Sequence, residues 1–209
     1  SYLVTDTALC GDRGVVATVE QAIAGGVKTV QLRDKSAPLR DVYALLLRLA
    51  EVTDGRATLL IDDRVDVFLA ARAAGAAVDG VHVGQSDLPA VQTRSIIGPD
   101  AILGLSAATP EQITVASAQD VDYLGSGAIH ATSTKPDHPT PLGVGGFASL
   151  RALTDLPCVA IGGITVYDAA PLAMVGADGV AVVSLICARA DPEAASRDLP
   201  TRFVQWVRL

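Results

Sequence analysis

The sequence predicts one α/β domain of the (βα)8 barrel class, also called the TIM barrel, spanning residues 1–209. Two observations predict this fold. Apolar runs alternate with segments of helical spacing along the chain, and polar or glycine-rich motifs follow nearly every run from the second onward. With 209 residues, 50% of them hydrophobic, the chain can bury the large core that such a domain needs.

Eight short runs rich in aliphatic or β-branched residues have the length and composition of buried strands. Their ranges are 2–5, 28–32, 57–61, 80–83, 101–105, 121–125, 157–161 and 179–183. Alanine- and leucine-rich segments with helical spacing lie between them, including 15–24, 39–50, 65–74, 110–118 and 167–175. Continuous apolar strands separated by helices are typical of a parallel sheet covered by helices.

A weak internal repeat supports this arrangement. The residues from Gly75 through Asp79 to Gly80 resemble those from Gly176 through Asp178 to Gly179. Each stretch is interpreted as the end of a helix, a short turn and the start of a buried strand. The same βα unit therefore recurs in both halves of the chain.

A parallel sheet of this kind is either an open doubly wound sheet or a closed barrel. Neighbouring strands lie about 4.8 Å apart, so in an open sheet the motifs after the second and eighth strands are too distant to share a ligand. In a barrel they meet at the C-terminal mouth, where the active sites of such barrels lie. The distribution of polar motifs therefore favours the barrel.

Composition also limits the classes of partner. Lysine and arginine number 16 and acidic residues 23, and the net charge of -7 argues against nucleic acid or an anionic membrane as a partner. No apolar stretch reaches the roughly 18 residues of a membrane span. Cys10, Cys158 and Cys187 lack CxxC spacing and fit buried free thiols in a cytoplasmic protein. We expect small-molecule substrates, and the oligomeric state stays open.

The motif after the second strand carries two cations. In Gln31-Leu32-Arg33-Asp34-Lys35, the alternation of a strand places Gln31, Arg33 and Lys35 on one face and Leu32 on the other, against helices. An arginine fork beside a lysine suits a diphosphate, which has several oxygens to neutralise. The alternative interpretation is a cluster of surface salt bridges.

Two carboxylates follow the next two strands. Asp63 comes after the third strand and Asp87 after the fourth, so a barrel places them side by side at the rim. Mg²⁺ takes one or two protein carboxylates and completes its shell with water and phosphate oxygens. The sequence therefore predicts one Mg²⁺ at these residues. Asp63 could instead cap the following helix, and His82 is interpreted as a hydrogen-bonded interior residue.

Motifs after the seventh and eighth strands indicate a second anion site, which is neutral and rich in backbone amides, and the loop after the sixth strand adds a separate anion-binding patch. Thr132-Ser133-Thr134-Lys135 combines hydroxyls with a cation, within a long stretch at 132–140 that we interpret as a lid. Gly162 and Gly163 follow the seventh strand and Ser184 the eighth, where amides and a hydroxyl can hold a phosphate. A flexible linker and a tight turn are the alternatives. A Mg²⁺-diphosphate beside a monophosphate suggests a transferase that expels pyrophosphate.

The motifs QLRDK, IDDRVD, GVHVGQSD, GLSA, TSTK, AIGGI and GVAVVS occur in this order. In these motifs the whole chain closely resembles the thiamine phosphate synthases. The resemblance implies a (βα)8 barrel that uses Mg²⁺ to join 4-amino-2-methyl-5-(diphosphooxymethyl)pyrimidine to 4-methyl-5-(2-phosphoethyl)thiazole. Thiamine phosphate and pyrophosphate are the implied products, with loss of CO₂ if the thiazole is a 2-carboxylate.

The resemblance also implies roles for single residues. Those implied to bind the pyrimidine diphosphate are Gln31, Leu32, Arg33, Asp34, Lys35, Asp62, Ser106 and Lys135. Those implied to bind the thiazole phosphate are Thr132, Ser133, Thr134, Gly163, Val183 and Ser184. Asp63 and Asp87 would hold Mg²⁺. Arg33, Lys35, Ser106 and Lys135 would be catalytic in a dissociative mechanism.

The chain departs from the family pattern at three positions. Asp62 stands where the family usually has Asn, Ala128 where it has Pro, and His130 where it has an aromatic residue. One alternative function is the related thiazole tautomerase, which would have a histidine at the position of Ala128. Another is a non-catalytic barrel that binds thiamine precursors. The complete set of charged motif residues favours the synthase.

Overall fold

The computed structural model describes residues 1–132 and 140–199 and contains a closed barrel of parallel strands. The strands are β1 (Tyr2–Val4), β2 (Thr29–Leu32), β3 (Thr58–Asp62), β4 (Gly80–Val83), β5 (Ile102–Ser106), β6 (Tyr123–Gly127), β7 (Cys158–Ile161) and β8 (Gly179–Val182). They are hydrogen-bonded in chain order, and β1 pairs with β8 to close the barrel. The predicted fold class is confirmed.

Helices follow the strands and cover the outside of the barrel. They are α1 (Thr7–Cys10), α2 (Gly14–Ala24), α3 (Leu39–Thr53), α4 (Val65–Ala73), α5 (Ala90–Ile97), α6 (Pro110–Ser117), α7 (Gly143–Arg151), α8 (Ala169–Met174), α9 (Ser184–Cys187) and α10 (Pro192–Arg197). In α3, Val42, Leu46 and Leu49 form one buried stripe at helical spacing. Within the described ranges, no helix has the length and apolar character needed to cross a bilayer.

Two apolar cores lie on the two sides of the sheet. The barrel interior is filled by Tyr2, Val4, Leu60, Tyr123, Val159 and Ala181. The larger core lies between the strands and the helices and includes Leu3 and Leu32. Because successive strand residues point to opposite faces, a strand that is buried on both faces needs apolar residues throughout. All three cysteines are buried free thiols, as the sequence predicted.

Aspartates at the N-terminal ends of β4, β6 and β8 connect neighbouring strands at the end of the barrel opposite the mouth, which we call the floor. Each accepts a hydrogen bond from a backbone N–H at the start of the preceding strand. Leu59 N–H donates to Asp79 at 2.7 Å, Leu103 N–H donates to Asp122 at 2.7 Å, and Cys158 N–H donates to Asp178 at 2.9 Å. The predicted repeat around Asp79 and Asp178 is therefore confirmed as a structural repeat of two βα units.

The strand β6 begins two residues later than the sequence predicted, whereas β2, β3, β5 and β7 each begin one residue later. We expected a strand at 121–125, whereas β6 is Tyr123–Gly127. Val121 N–H bonds to Gln119 in a turn, and Asp122 directs both its N–H and its carboxylate to Leu103. Because these groups bond at the floor of the barrel, the regular hydrogen bonds between β6 and its neighbours start two residues further along the chain than predicted.

The floor aspartates give a test of barrel stability. Asp178→Ala leaves the buried N–H of Cys158 without its acceptor, and we expect it to lower the free energy of unfolding by about 1–2 kcal/mol. Asp155→Ala, at an exposed position on the connection between α7 and β7, is the control and should change it by less than about 0.5 kcal/mol. Urea denaturation measures both. Equal effects of the two variants would contradict the assigned role of Asp178.

Candidate active site

Charged side chains from β2 and β3 meet at the C-terminal mouth. Arg33 Nε lies 3.4 Å from Asp62 Oδ2, and Lys35 Nζ lies 2.6 Å from Asp63 Oδ2 and 4.0 Å from Asp62 Oδ2. The register pairs Leu32 with Ile61, so the residues that follow each strand end are neighbours. The side chains of Arg33 and Lys35 thus reach one cluster, as their alternation predicted.

Asp63 has an unusual backbone conformation that aims its carboxylate. Its φ is +60°, a region that aspartate and asparagine tolerate better than most residues. Its N–H donates to His82 O at 2.8 Å, which ties the turn to β4. The residue that precedes α4 is Arg64, and it makes no side-chain capping bond. The capping interpretation of Asp63 is therefore wrong, and its carboxylate bonds to Lys35 instead.

The carboxylates of this cluster are difficult to ionise together. Burial, and next the charge of Asp63, raise the pKa of Asp62 to about 7 despite the opposing charges of Lys35 and Arg33. Burial and a hydrogen bond with Asp63 also raise the pKa of Asp87, although its Oδ2 accepts a hydrogen bond from Gly84 N–H at 2.8 Å. The cluster thus holds more potential negative charge than its two cations neutralise.

Two other residues of the same motif face away from the mouth. The Leu32 side chain is fully buried in the outer core, so only its backbone can contact a ligand. Asp34 accepts hydrogen bonds from Thr7 Oγ1 and from the N–H groups of Ser36 and Ala37. Burial raises the pKa of Asp34, but these hydrogen bonds lower it by more. The Asp34 carboxylate stabilises its own loop.

A hydrogen-bonded chain crosses the barrel interior beneath the mouth. Gln31 Nε2 donates to the Tyr2 hydroxyl at 2.6 Å, and the Tyr2 and Tyr123 hydroxyls are 2.9 Å apart. His82 Nδ1 lies 2.9 Å from the Tyr123 hydroxyl, and His82 Nε2 lies 2.9 Å from Ser106 Oγ. We name this set the interior chain. His82 is thus the hydrogen-bonded interior histidine that the sequence predicted.

The interior chain borders a cavity of about 40 Å³ that Gln31, Ser106 and the apolar wall of β7 and β8 also line. Burial raises the pKa of both Tyr2 and Tyr123, which keeps their hydroxyls neutral. Gly104 makes room for the chain, because a Cβ there would lie 2.3 Å from the Tyr123 ring and 2.4 Å from His82 Nδ1. Sequence reasoning missed the tyrosines. The available signal was two tyrosines in strands beside an interior histidine.

A larger cavity of about 440 Å³ opens on the opposite side of the mouth. It is lined by Ala131, Thr132, Gly163, Ile164, Thr165, Ser184, Leu185, Ala188 and Arg189. Gly163 has a φ of +67°, and a Cβ there would lie 2.8 Å from His130. The structure therefore brings together Thr132, Gly163 and Ser184, which the family resemblance implies as one phosphate site. Val183 directly precedes Ser184 and is half-buried.

Three predicted site residues, Ser133, Thr134 and Lys135, lie outside the described residues, as does most of the predicted lid at 132–140. Next to this segment, His130 Nε2 lies 2.8 Å from Asp168 Oδ1. Asp168 Oδ2 accepts hydrogen bonds from the N–H and hydroxyl of Thr165 at 2.8 and 2.7 Å. These bonds fix the loop after β7 against the root of the β6–α7 connection.

Comparisons with known proteins agree with this geometry. The family model described as thiamine monophosphate synthase matches residues 1–186. The thiamine-phosphate synthase of Azorhizobium caulinodans is 45% identical over 201 residues, covering 96% of this chain and 92% of the relative. The thiamine-phosphate synthase of Psychrobacter sp. is 45% identical over 198 residues, covering 93% of this chain and 91% of the relative. The solved thiamine phosphate pyrophosphorylase of Pyrococcus furiosus superposes with a TM-score of 0.82 at 33% identity, covering 95% and 92%.

The raised pKa of Asp62 predicts a pH-dependent effect on stability. The folded protein keeps this carboxyl protonated up to about pH 7, whereas the unfolded chain loses the proton near 3.8. Stability therefore falls as pH rises through this window. We expect Asp62→Asn, compared with wild type in EDTA, to raise the free energy of unfolding on the order of 2 kcal/mol at pH 8 and by much less at pH 4.5.

Asp100→Asn, at an exposed position, is the control and should change stability equally at both pH values. Denaturant titrations at pH 4.5 and 8 supply the comparison. A loss of stability in Asp62→Asn at pH 8 would mean that the ion pairs with Arg33 and Lys35 outweigh burial.

The interior chain gives a second prediction. Tyr2→Phe removes the acceptor of Gln31 inside the barrel, and we expect a loss of about 1–2 kcal/mol in the free energy of unfolding. Tyr43→Phe is the control, because Tyr43 is only half-buried on α3. Thermal and urea unfolding measure both variants. If Tyr2→Phe matches wild type, the hydrogen bond does not contribute to stability.

Proposed function

Because the chain belongs to the thiamine monophosphate synthase family, we propose that it joins 4-amino-2-methyl-5-(diphosphooxymethyl)pyrimidine to 4-methyl-5-(2-phosphoethyl)thiazole. The products are thiamine phosphate and pyrophosphate. The observation that carries the proposal is that one mouth has a cluster with two cations and, elsewhere on its rim, a cavity lined by glycine and hydroxyl residues, an arrangement that suits two different phosphate groups. Arg33 and Lys35 lie on one side, and the cavity with Gly163 and Ser184 lies on the other.

We assign the diphosphate to the cationic side and Mg²⁺ to Asp63 and Asp87. No group of three or more His, Cys, Asp or Glu side chains with metal-binding placement occurs within residues 1–132 and 140–199. Mg²⁺ does not need one, because phosphate oxygens and water complete its shell beside one or two carboxylates. The raised pKa of Asp87, caused first by burial and then by Asp63, supports the assignment, since a divalent cation would relieve the repulsion between the two carboxylates. When bound, Mg²⁺ would neutralise charge on the diphosphate.

The proposed reaction is dissociative. The bond between the pyrimidine methylene carbon and the diphosphate oxygen breaks, and pyrophosphate leaves with the electron pair. The electron-rich aminopyrimidine stabilises the methylene cation, and the thiazole nitrogen uses its lone pair to form the new C–N bond. If the thiazole is a 2-carboxylate, CO₂ is lost as well. Arg33, Lys35 and Lys135 would stabilise the leaving pyrophosphate, which requires no protein nucleophile.

The interior chain supports a role for Ser106 in holding the pyrimidine. His82 fixes the Ser106 hydroxyl from below at 2.9 Å, and Gln31 lines the same cavity. Preorganised polar groups orient a substrate without moving during the reaction. We place this reaction in the cytosol, where the three buried thiols would stay reduced.

The proposal is tested by pyrophosphate release from the two substrates with and without Mg²⁺. We expect release to require all three components. We expect Asp63→Asn to lower kcat/KM by about 100-fold or more, because the variant keeps the φ of +60° but loses a metal-binding charge. Asp66→Asn is the matched control, because Asp66 is exposed and pairs only with Arg64 among the described residues.

Two outcomes would favour the alternatives. Isomerisation of a thiazole carboxylate phosphate without pyrophosphate release would indicate a tautomerase. Binding of both compounds without any turnover would indicate a non-catalytic barrel that binds thiamine precursors. Equal activity of Asp63→Asn and Asp66→Asn would overturn the metal assignment.

A further inference from the structure

Arg189 is the only charged residue among the described residues that line the larger cavity. It shares the lining with Thr132, Gly163 and Ser184, which supply hydroxyls and amides but no charge. The Arg189 side chain is exposed and has no ion-pair or hydrogen-bond partner within residues 1–132 and 140–199. Sequence reasoning described this subsite as neutral. The structure adds a cation to it.

Arg13 holds the backbone that carries Arg189. Its guanidinium donates to the carbonyl oxygens of Cys187 and Arg189 at 3.1 and 2.9 Å and to that of Ala190 at 3.1 Å. Its Nε donates to Thr18 Oγ1 on α2 at 3.0 Å. Arg189 N–H bonds to Ile186 O at 3.1 Å. The irregular segment after α9 is therefore fixed at both sides of Arg189, and its side chain starts from a defined position at the cavity wall.

We propose that Arg189 binds the phosphate of the second substrate and selects a phosphorylated thiazole over the corresponding alcohol. This role rests on the proposed function. A phosphate monoester carries close to two negative charges near neutral pH, and an arginine fork binds two of its oxygens at once. Charge-assisted hydrogen bonds are about twice as strong as neutral ones. Gly163 and Ser184 alone would offer the phosphate only neutral donors.

The first experiment measures steady-state kinetics of Arg189→Gln. We expect the KM for the thiazole phosphate to rise about tenfold, a loss of about 1.4 kcal/mol, and the KM for the pyrimidine diphosphate to stay at the wild-type value. The preference for thiazole phosphate over the thiazole alcohol should fall about tenfold. Arg189→Lys should recover part of the loss, because it keeps the charge without the fork. Arg48→Gln, exposed on α3, is the matched control.

The second experiment does not depend on catalysis. Calorimetry measures the Kd of ethyl phosphate while magnesium pyrophosphate occupies the other anion site. We expect the Kd to rise about tenfold in Arg189→Gln and not in Arg48→Gln. Added salt should weaken binding to wild type more than binding to Arg189→Gln, since charge attraction is screened.

The results distinguish failure of the Arg189 role from failure of the proposed function. If wild type releases no pyrophosphate but Arg189→Gln alone loses ethyl phosphate binding, the proposed function fails and Arg189 remains an anion-binding residue. Unchanged ethyl phosphate affinity and unchanged thiazole phosphate KM in Arg189→Gln would overturn the role of Arg189. A drop in kcat with no change in either binding constant would overturn it as well.

Discussion

Pairing of β1 with β8 is the constraint on which the rest of the structure depends. It turns a row of eight strands into a ring, so motifs far apart in the chain share one mouth. The hydrogen bond between Tyr2 and Tyr123 spans the interior between residues 121 positions apart. Closure also brings Arg13, which follows β1, to the segment after β8, where it binds the carbonyls around Arg189. Both features need the closed ring.

Charge is divided unevenly around this mouth. One side holds Asp62, Asp63 and Asp87 against Arg33 and Lys35, and burial raises the pKa of two of these carboxyls. The other side holds amides, hydroxyls and one arginine around a cavity of about 440 Å³. The first arrangement suits a polyanion that arrives with a cation, and the second suits a monoester. Such asymmetry would orient two phosphate-bearing substrates relative to each other.

Sequence reasoning succeeded where local periodicity decides the structure. Strand alternation placed Arg33 and Lys35 together, because it depends only on the two-residue period. It failed where hydrogen bonds between distant residues determine where an element begins. The strand β6 starts late because Asp122 bonds to Leu103 on the neighbouring strand. The interior chain depends on the barrel radius and register, which no local motif encodes. Arg189 lies in an irregular segment that has no periodic pattern. The backbone of this segment is held by hydrogen bonds from Arg13, which is far away in the chain.

The central claim is that two substrates occupy two anion subsites of one mouth at the same time. A crystal structure with thiamine phosphate, pyrophosphate and Mg²⁺ bound tests it most directly. The account predicts the metal on Asp63 and Asp87 with pyrophosphate beside Arg33 and Lys35, and the monoester phosphate between Gly163, Ser184 and Arg189. A metal bound elsewhere, or a monoester phosphate in the carboxylate cluster, would contradict it.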